Sequence, residues 1–193
     1  MKKNLKTSLE SFIQYYQIPD KICEEIIIYF KSHKKLQKNG IVGFNETPII
    51  KKEIKDSIDI QVPIINNIKV FNEYNKYLFN FIKEYCITYP EINKCSLFGL
   101  TEGYNIQYYK KNAGFKQWHF ERTSNSNRVL VFMTYLNDVE DGGTFFKYQN
   151  IKTKAKKGVT LVWPTDFTHT HKGEISTKSH KYILTGWLGF IPK

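Results

Sequence analysis

A chain of 193 residues that is 41% apolar and 16% aromatic, with 13 Tyr and 14 Phe, can bury a substantial core, which excludes global disorder and favours one domain over residues 1–193. No apolar run approaches the length needed to cross a membrane, and three cysteines without a C-x-x-C pair exclude a disulfide framework and a zinc ribbon. The net charge of +11 suggests an anionic partner, but of 29 basic residues only Arg122 and Arg128 are arginine, leaving 27 lysines. Lys, Ile, Asn and Tyr in place of Arg is what A/T-rich codons produce, and readers of phosphate and bases favour the arginine fork. Nucleic acid therefore ranks below other partners.

The N-terminus, "MKKNLKTSLESFIQYY", has the charges of a secretory leader without its apolar block or cleavage site, so the protein is expected to be soluble and cytoplasmic. Next, "IPDKICEEIIIYFKSHKK" opens on Pro19 and Asp20 as a capping pair and carries Ile22, Cys23, Ile26, Ile27 and Phe30 on one broad side, which predicts a helix. The segment 39–67 is polar, contains Pro48 and Pro63, and predicts loops with short strands. A second helix is predicted in "NEYNKYLFNFIKEYCITY", with Tyr74, Leu78, Phe81, Ile82 and Tyr85 at helical spacing and Pro90 as its stop. Cys23, Cys86 and Cys95 read as reduced thiols in or near the core.

From residue 97 the pattern changes. "LFGL", "YNIQYY", "WHFE", "RVLVFMTYL", "GTFFKY", "GVTLVWP" and "KYILTGWLGF" are short β-rich runs separated by Gly, Asn and Asp. Strands with this spacing and long returns suit a jelly roll. The expected fold is α+β and mainly β. Residues 97–193 would form a jelly-roll core, and residues 1–96 would supply helical support and loops, with the helices packed on one face.

Candidate chemistry lies in the histidines. His33 sits in a lysine-rich helix end and His180 in a polar turn, and neither has an assigned role. His119 and Glu121 are two apart in the "WHFE" run, where strand spacing would aim both side chains at one face. They form either a surface pair or one edge of a metal site. Iron(II) oxygenases with open coordination positions use two histidines and one carboxylate. "WPTDFTHTHKGE" offers the third corner as His169 or His171, read as two residues on one strand face.

Taken together, "HFE" at 119–121, "YLNDVEDGGTFF" at 135–146, "KGVTLVWP" at 157–164, His171, and Lys181 in "HKYILTGW" stand in order over nearly half the chain. In that order and spacing, residues from about Tyr104 to Phe190 resemble an Fe(II)/2-oxoglutarate-dependent dioxygenase of the prolyl hydroxylase type. The resemblance implies a double-stranded β-helix that binds Fe(II) through His119, Glu121 and His171, with O2 and 2-oxoglutarate as co-substrates. Ascorbate is implied as a possible reductant. Lys181, ten residues after His171, would hold the far carboxylate of 2-oxoglutarate. Tyr109 would assist it, with Tyr108 as the competing choice because alternation sends only one of them inward. Glu121 departs from the family's commoner aspartate. A carboxylate at that position also argues for hydroxylation over halide transfer, which needs a small residue there.

The implied activity is hydroxylation of a C–H bond, with a peptidyl residue such as proline ranked first and a free amino acid or small metabolite second. A catalytically silent jelly-roll module and a nucleic-acid-associated protein, including a nucleobase demethylase, are the alternatives. The polar segment 38–67 and the loop "RTSNSN" at 122–127 are the expected pocket walls. His169 is read as supporting the site. Gly142 and Gly143 read as a tight turn. Trp118, Trp163 and Trp187 read as core or pocket wall, and Arg128 as facing the pocket or pairing at a strand start. Oligomeric state is not readable from the sequence.

Overall fold

The computed structural model describes residues 9–44, 47–123 and 126–191, so the N-terminal octet and two residues of the 122–127 loop lie outside it. Its elements in chain order are β1 (Gln14–Gln17), α1 (Asp20–Ser32), β2 (Lys38–Asn39), β3 (Val42–Phe44), β4 (Thr47–Ile49), β5 (Ile58–Val62), α2 (Lys69–Thr88), β6 (Phe98–Gly99), β7 (Tyr104–Tyr109), β8 (Arg128–Tyr135), β9 (Thr144–Phe146), β10 (Ile151–Lys152), β11 (Val159–Pro164), β12 (His171–Gly173) and β13 (Lys181–Phe190). Among the described residues no helix is long and apolar enough to cross a membrane.

Both helices form where the apolar spacing predicts them. α1 buries Ile22, Cys23, Ile26 and Phe30, and α2 buries Val70, Phe71, Tyr74, Leu78, Phe81 and Tyr85. The cap of α1 differs from expectation. Pro19 is the N-cap with no side-chain hydrogen bond, and Asp20 is an acid in the first turn, where it complements the helix dipole. Pro90 ends α2 by opening a 3-10 turn over Pro90–Lys94.

The main sheet runs β1-β11-β8-β13-β7-β5-β2, with β6 pairing the end of β13. A smaller sheet, β10-β9-β12, faces part of it, and β3–β4 form a separate hairpin. Three N-terminal strands, β1, β2 and β5, belong to the main sheet, so the β core draws on residues before 97 as well as after. β1 lies against β11 from Gln14↔Val162 to Gln17↔Val159, and β5 lies against β7 from Ile58↔Tyr108 to Val62↔Tyr104.

Strand alternation then sorts the side chains. One face of the main sheet (Ile60, Tyr104, Ile106, Phe132, Val162, Leu184, Leu188) packs with Ile22, Ile26, Phe71, Tyr74 and Leu78 of the helices. The other face carries Tyr109, Val131, Met133, Tyr135, Leu161, Trp163 and Ile183, and meets Phe146 of the small sheet. This is the jelly roll with its helices on one face, and the site opens on the opposite one.

Candidate active site

A cavity of about 1510 Å³ opens on that second face, and His119, Glu121, His171, Lys181 and Tyr109 all line it. The segment 115–121 is not a strand. His119 makes one isolated bridge, giving its N–H to His171 O (2.9 Å) and accepting from His171 N (2.8 Å), after which Glu121 N turns to Thr165 O (3.0 Å). The two side chains nevertheless converge. One ligand atom from each of His119, Glu121 and His171 lies within 4.8 Å of the others. Glu121 Oε1 is 3.4 Å from His119 Nε2 and 3.7 Å from His171 Nε2.

The backbone orients both rings. His119 Nδ1 lies 3.0 Å from Gln117 O, and His171 Nδ1 lies 2.9 Å from His169 O. A carbonyl only accepts, so Nδ1 is the donor in each ring and Nε2 keeps the lone pair in the neutral form. Phe115 stacks on His119 at 3.6 Å, and Trp163 meets His171 edge-on at 5.1 Å. Burial alone would raise the Glu121 carboxyl, but its contact with His119 and the neighbouring Arg128 guanidinium bring it down to about 2. Burial, reinforced by His119, lowers His171 to about 3. An ionised carboxylate beside a neutral His171 ring is a donor set that suits a divalent cation.

His169 does not share a strand face with His171. It ends the 3-10 turn Phe167–His169, and its ring points to Ser11 O at 3.0 Å. The chain reverses between the two residues, so spacing of two no longer means one face. Its contribution to the cluster is the backbone carbonyl that holds His171.

Lys181 pairs in register with Tyr109 across β13 and β7. Its Nζ donates to Gly142 O (2.9 Å) and Glu174 O (3.0 Å) and sits 5.5 Å from the Tyr109 ring. Burial lowers its pKa to about 8, with Glu174 and Asp141 pulling the other way. An ammonium has three donors, so one remains for an anion in the cavity. Alternation answers the tyrosine question in geometric terms. Tyr109 faces the cavity and Tyr108 packs on the helix side. The Tyr109 hydroxyl gives its proton to Gln107 Oε1 at 2.6 Å, so a contact with a carboxylate requires that proton to turn.

Several groups were only partly placed by the sequence. Gly142 is more than a turn, because its carbonyl holds Lys181, and a Cβ there would meet Val139 at 2.5 Å. Arg128 faces the cavity, and its chain neighbours Val129 and Leu130 both pack towards the helices. The register shift between Leu188 and Gly189 on the paired strand breaks the alternation and re-aims it. The side-chain contacts of Arg128 are with Glu102, Glu121 and Trp187. Trp163 and Trp187 line the cavity as expected, but Trp118 is 41% exposed, under Lys172 at 4.7 Å. The 38–67 segment reaches the cavity through Lys38, Val42, Lys55, Asp59 and Gln61.

Residues 104–189 match the family described as the 2OG-Fe(II) oxygenase superfamily. That stretch, a little under half of the chain, is similar to the 2-oxoglutarate- and iron-dependent dioxygenases. No curated protein sequence is significantly similar to it. Solved structures share the oxygenase fold at low identity. The collagen prolyl hydroxylase of Paramecium bursaria Chlorella virus 1, in complex with 2-oxoglutarate, has a TM-score of 0.67 at 15% identity over 93% of this chain and 97% of its own. A prolyl-4-hydroxylase of Pseudomonas putida has a TM-score of 0.69 at 10% identity over 94% of both chains. A prolyl hydroxylase of Trichoplax adhaerens, bound to a hypoxia-inducible-factor peptide fragment, has a TM-score of 0.70 at 13% identity over 93% of this chain and 84% of its own. Fe(II), 2-oxoglutarate and O2 are the cofactor and co-substrates of the oxygenase family.

Proposed function

We propose that this chain hydroxylates a peptidyl residue, with proline first, using Fe(II) held by His119, Glu121 and His171 and 2-oxoglutarate held by Lys181. One observation carries the reading. The three-residue donor set and a buried lysine whose hydrogen bonds, among the described residues, go to main-chain carbonyls open into one cavity. Lys181 is costly to bury without an anion, and the far carboxylate of 2-oxoglutarate removes that cost. Tyr109 adds a hydroxyl once its proton leaves Gln107.

Iron supplies the O2 chemistry that couples decarboxylation of 2-oxoglutarate, to succinate and CO2, with insertion of the second oxygen atom into a substrate C–H bond. The protein supplies geometry. Gln117 and His169 carbonyls fix the two imidazoles, and Glu121 neutralises one charge of the cation. Val131, Met133 and Ile183 give the cavity a dry wall. As a ligand, Glu121 would fill the position that halide transfer needs vacant, which favours hydroxylation.

The cavity is larger than the roughly 300–1,000 Å³ of small-molecule pockets, which favours a peptide over a free amino acid. Proline is what the names of the three structural relatives point to, and one of them is bound to a peptide. Three free cysteines fit a reducing compartment, and we place the protein in the cytoplasm. The test is mass spectrometry of proline-rich peptides incubated with the enzyme, Fe(II), 2-oxoglutarate and ascorbate as reductant. A gain of one oxygen on proline, matched mole for mole by succinate, is expected. Succinate release stimulated only by a free amino acid or nucleoside would overturn the peptide reading.

A further inference from the structure

Glu121 directs Oε1 at the two histidines, and its other oxygen, Oε2, lies 3.4 Å from Arg128 Nη1. A glutamate side chain ends in a broad sp³–sp² torsion, so a metal-directed conformation needs a hold from outside. Arg128 is itself fixed from two sides. Glu102 accepts from its Nε at 2.6 Å and its Nη2 at 2.7 Å, and the Trp187 ring packs against the guanidinium at 3.5 Å. Those contacts take one edge and one face of the planar group, and Nη1 is the nitrogen left to face Glu121. At 3.4 Å the contact is an ion pair more than a hydrogen bond, so direction and charge do the holding. Glu102, Arg128 and Glu121 together carry one net negative charge, which is left for a cation.

We infer that Arg128, anchored by Glu102, is a positioning residue for the metal, turning Oε2 of Glu121 away so that the carboxylate attaches through Oε1 alone. The inference rests on the reading of His119, Glu121 and His171 as iron ligands. It assigns a role to two residues outside that set. It also explains how a glutamate can serve at this position. Aspartate would retract the carboxylate by about one C–C bond, ~1.5 Å, and Arg128, pinned by Glu102 and Trp187, could not follow.

Metal binding tests it without turnover. Mn(II) is titrated into the purified protein by electron paramagnetic resonance, and the visible spectrum of the Co(II) form is recorded. Arg128→Met is expected to weaken Mn(II) binding about 10–100-fold, as loss of a ligand's outer partner does, and to shift the Co(II) bands. Glu102→Gln, which leaves Arg128 in place and guards against a folding defect, should give a smaller loss in the same direction. In an E121D background, adding Arg128→Met should cost no more than about twofold, the scatter of uncoupled sites. Wild-type Mn(II) affinity and an unchanged Co(II) spectrum in both Arg128→Met and Glu102→Gln would overturn the inference. Equal losses with Glu121 and with E121D would reduce Arg128 to a structural role and overturn it as well. If the wild-type protein binds neither metal, the iron-site reading itself fails.

Discussion

Lys181 sits in a strand of apolar neighbours, and among the described residues its hydrogen bonds go only to the carbonyls of Gly142 and Glu174. Removing the cation from the anion it is proposed to hold should cost about 3–5 kcal/mol, so Lys181→Ala should lose more than about a hundredfold in 2-oxoglutarate affinity by calorimetry while still binding Mn(II). Unchanged affinity would end the co-substrate assignment. The depressed pKa adds a pH signature. Below about 8 the lysine is charged before 2-oxoglutarate arrives, and affinity should be flat. Above about 8 the apo protein must take up a proton to bind, so affinity should fall by up to about tenfold per pH unit. The same shift acts on the apo fold with a definite sign. Between about 8 and the usual 10.5 the unfolded chain holds the proton that the native state has lost, so this group makes the apo protein more stable as pH rises through that window. The ligand cluster yields a sharper contrast. His119→Ala, Glu121→Ala and His171→Ala should each abolish tight Mn(II) binding. His169→Ala should weaken it only mildly, because the carbonyl that orients His171 belongs to the main chain. A crippled His169→Ala with an intact His171→Ala would reverse the ligand assignment.

At the scale of elements, β13 is the strand on which the site depends, lying between β8 and β7 and presenting Lys181 on one face and Leu184 on the other. Gly186 lies on its helix-side face. A Cβ there would stand 2.4 Å from Tyr104 Cβ and 2.6 Å from Phe132 Cζ, inside a packed core. Gly186→Ala should therefore destabilise the fold by about 1–3 kcal/mol through overpacking, read as a lower midpoint in urea unfolding. An unchanged midpoint would mean that Tyr104 and Phe132 can give way. Such elements were unevenly legible. Both helices and the long strands β8, β11 and β13 follow from local period and apolar content, which a sequence displays directly. "IDIQV" alternates as a strand should, yet its place beside β7 is a long-range pairing that no local pattern encodes. "QYYQ" carried no clean alternation. Order and spacing singled out the residues proposed for the site, but their aim was not readable. Reading Tyr109 rather than Tyr108 as the cavity-facing residue needed the register with Lys181. Arg128 needed the bulge at Leu188/Gly189, and the separation of His169 from His171 needed the 3-10 turn between them.

For the molecule as a whole, the question is whether the jelly-roll half stands alone. The motif-bearing segment begins near residue 97, which invites a cut there, but the sheet does not respect that boundary. β1 covers the free side of β11 over Gln14–Gln17, and β5 covers the free side of β7 over Ile58–Val62. The helices cover the face formed by Ile106, Phe132, Leu184 and Leu188 with Phe71, Tyr74 and Leu78. Tyr74 also closes a buried hydroxyl chain, Tyr74–Thr134–Thr160, at 2.9 and 2.7 Å, and cutting it takes from the Thr134 hydroxyl, in a central strand, one of its two partners. A fragment of residues 97–193 would thus expose two strand edges and one full face of its sheet, conditions that favour aggregation over folding. We expect that fragment to show no cooperative thermal transition by circular dichroism and no saturable Mn(II) binding. Co-expression with residues 1–96 should restore both, because the missing strands can still add to β11 and β7 from a separate chain. A fragment that melts cooperatively and binds Mn(II) alone would mean that the first 96 residues are an accessory to the catalytic fold rather than part of its core.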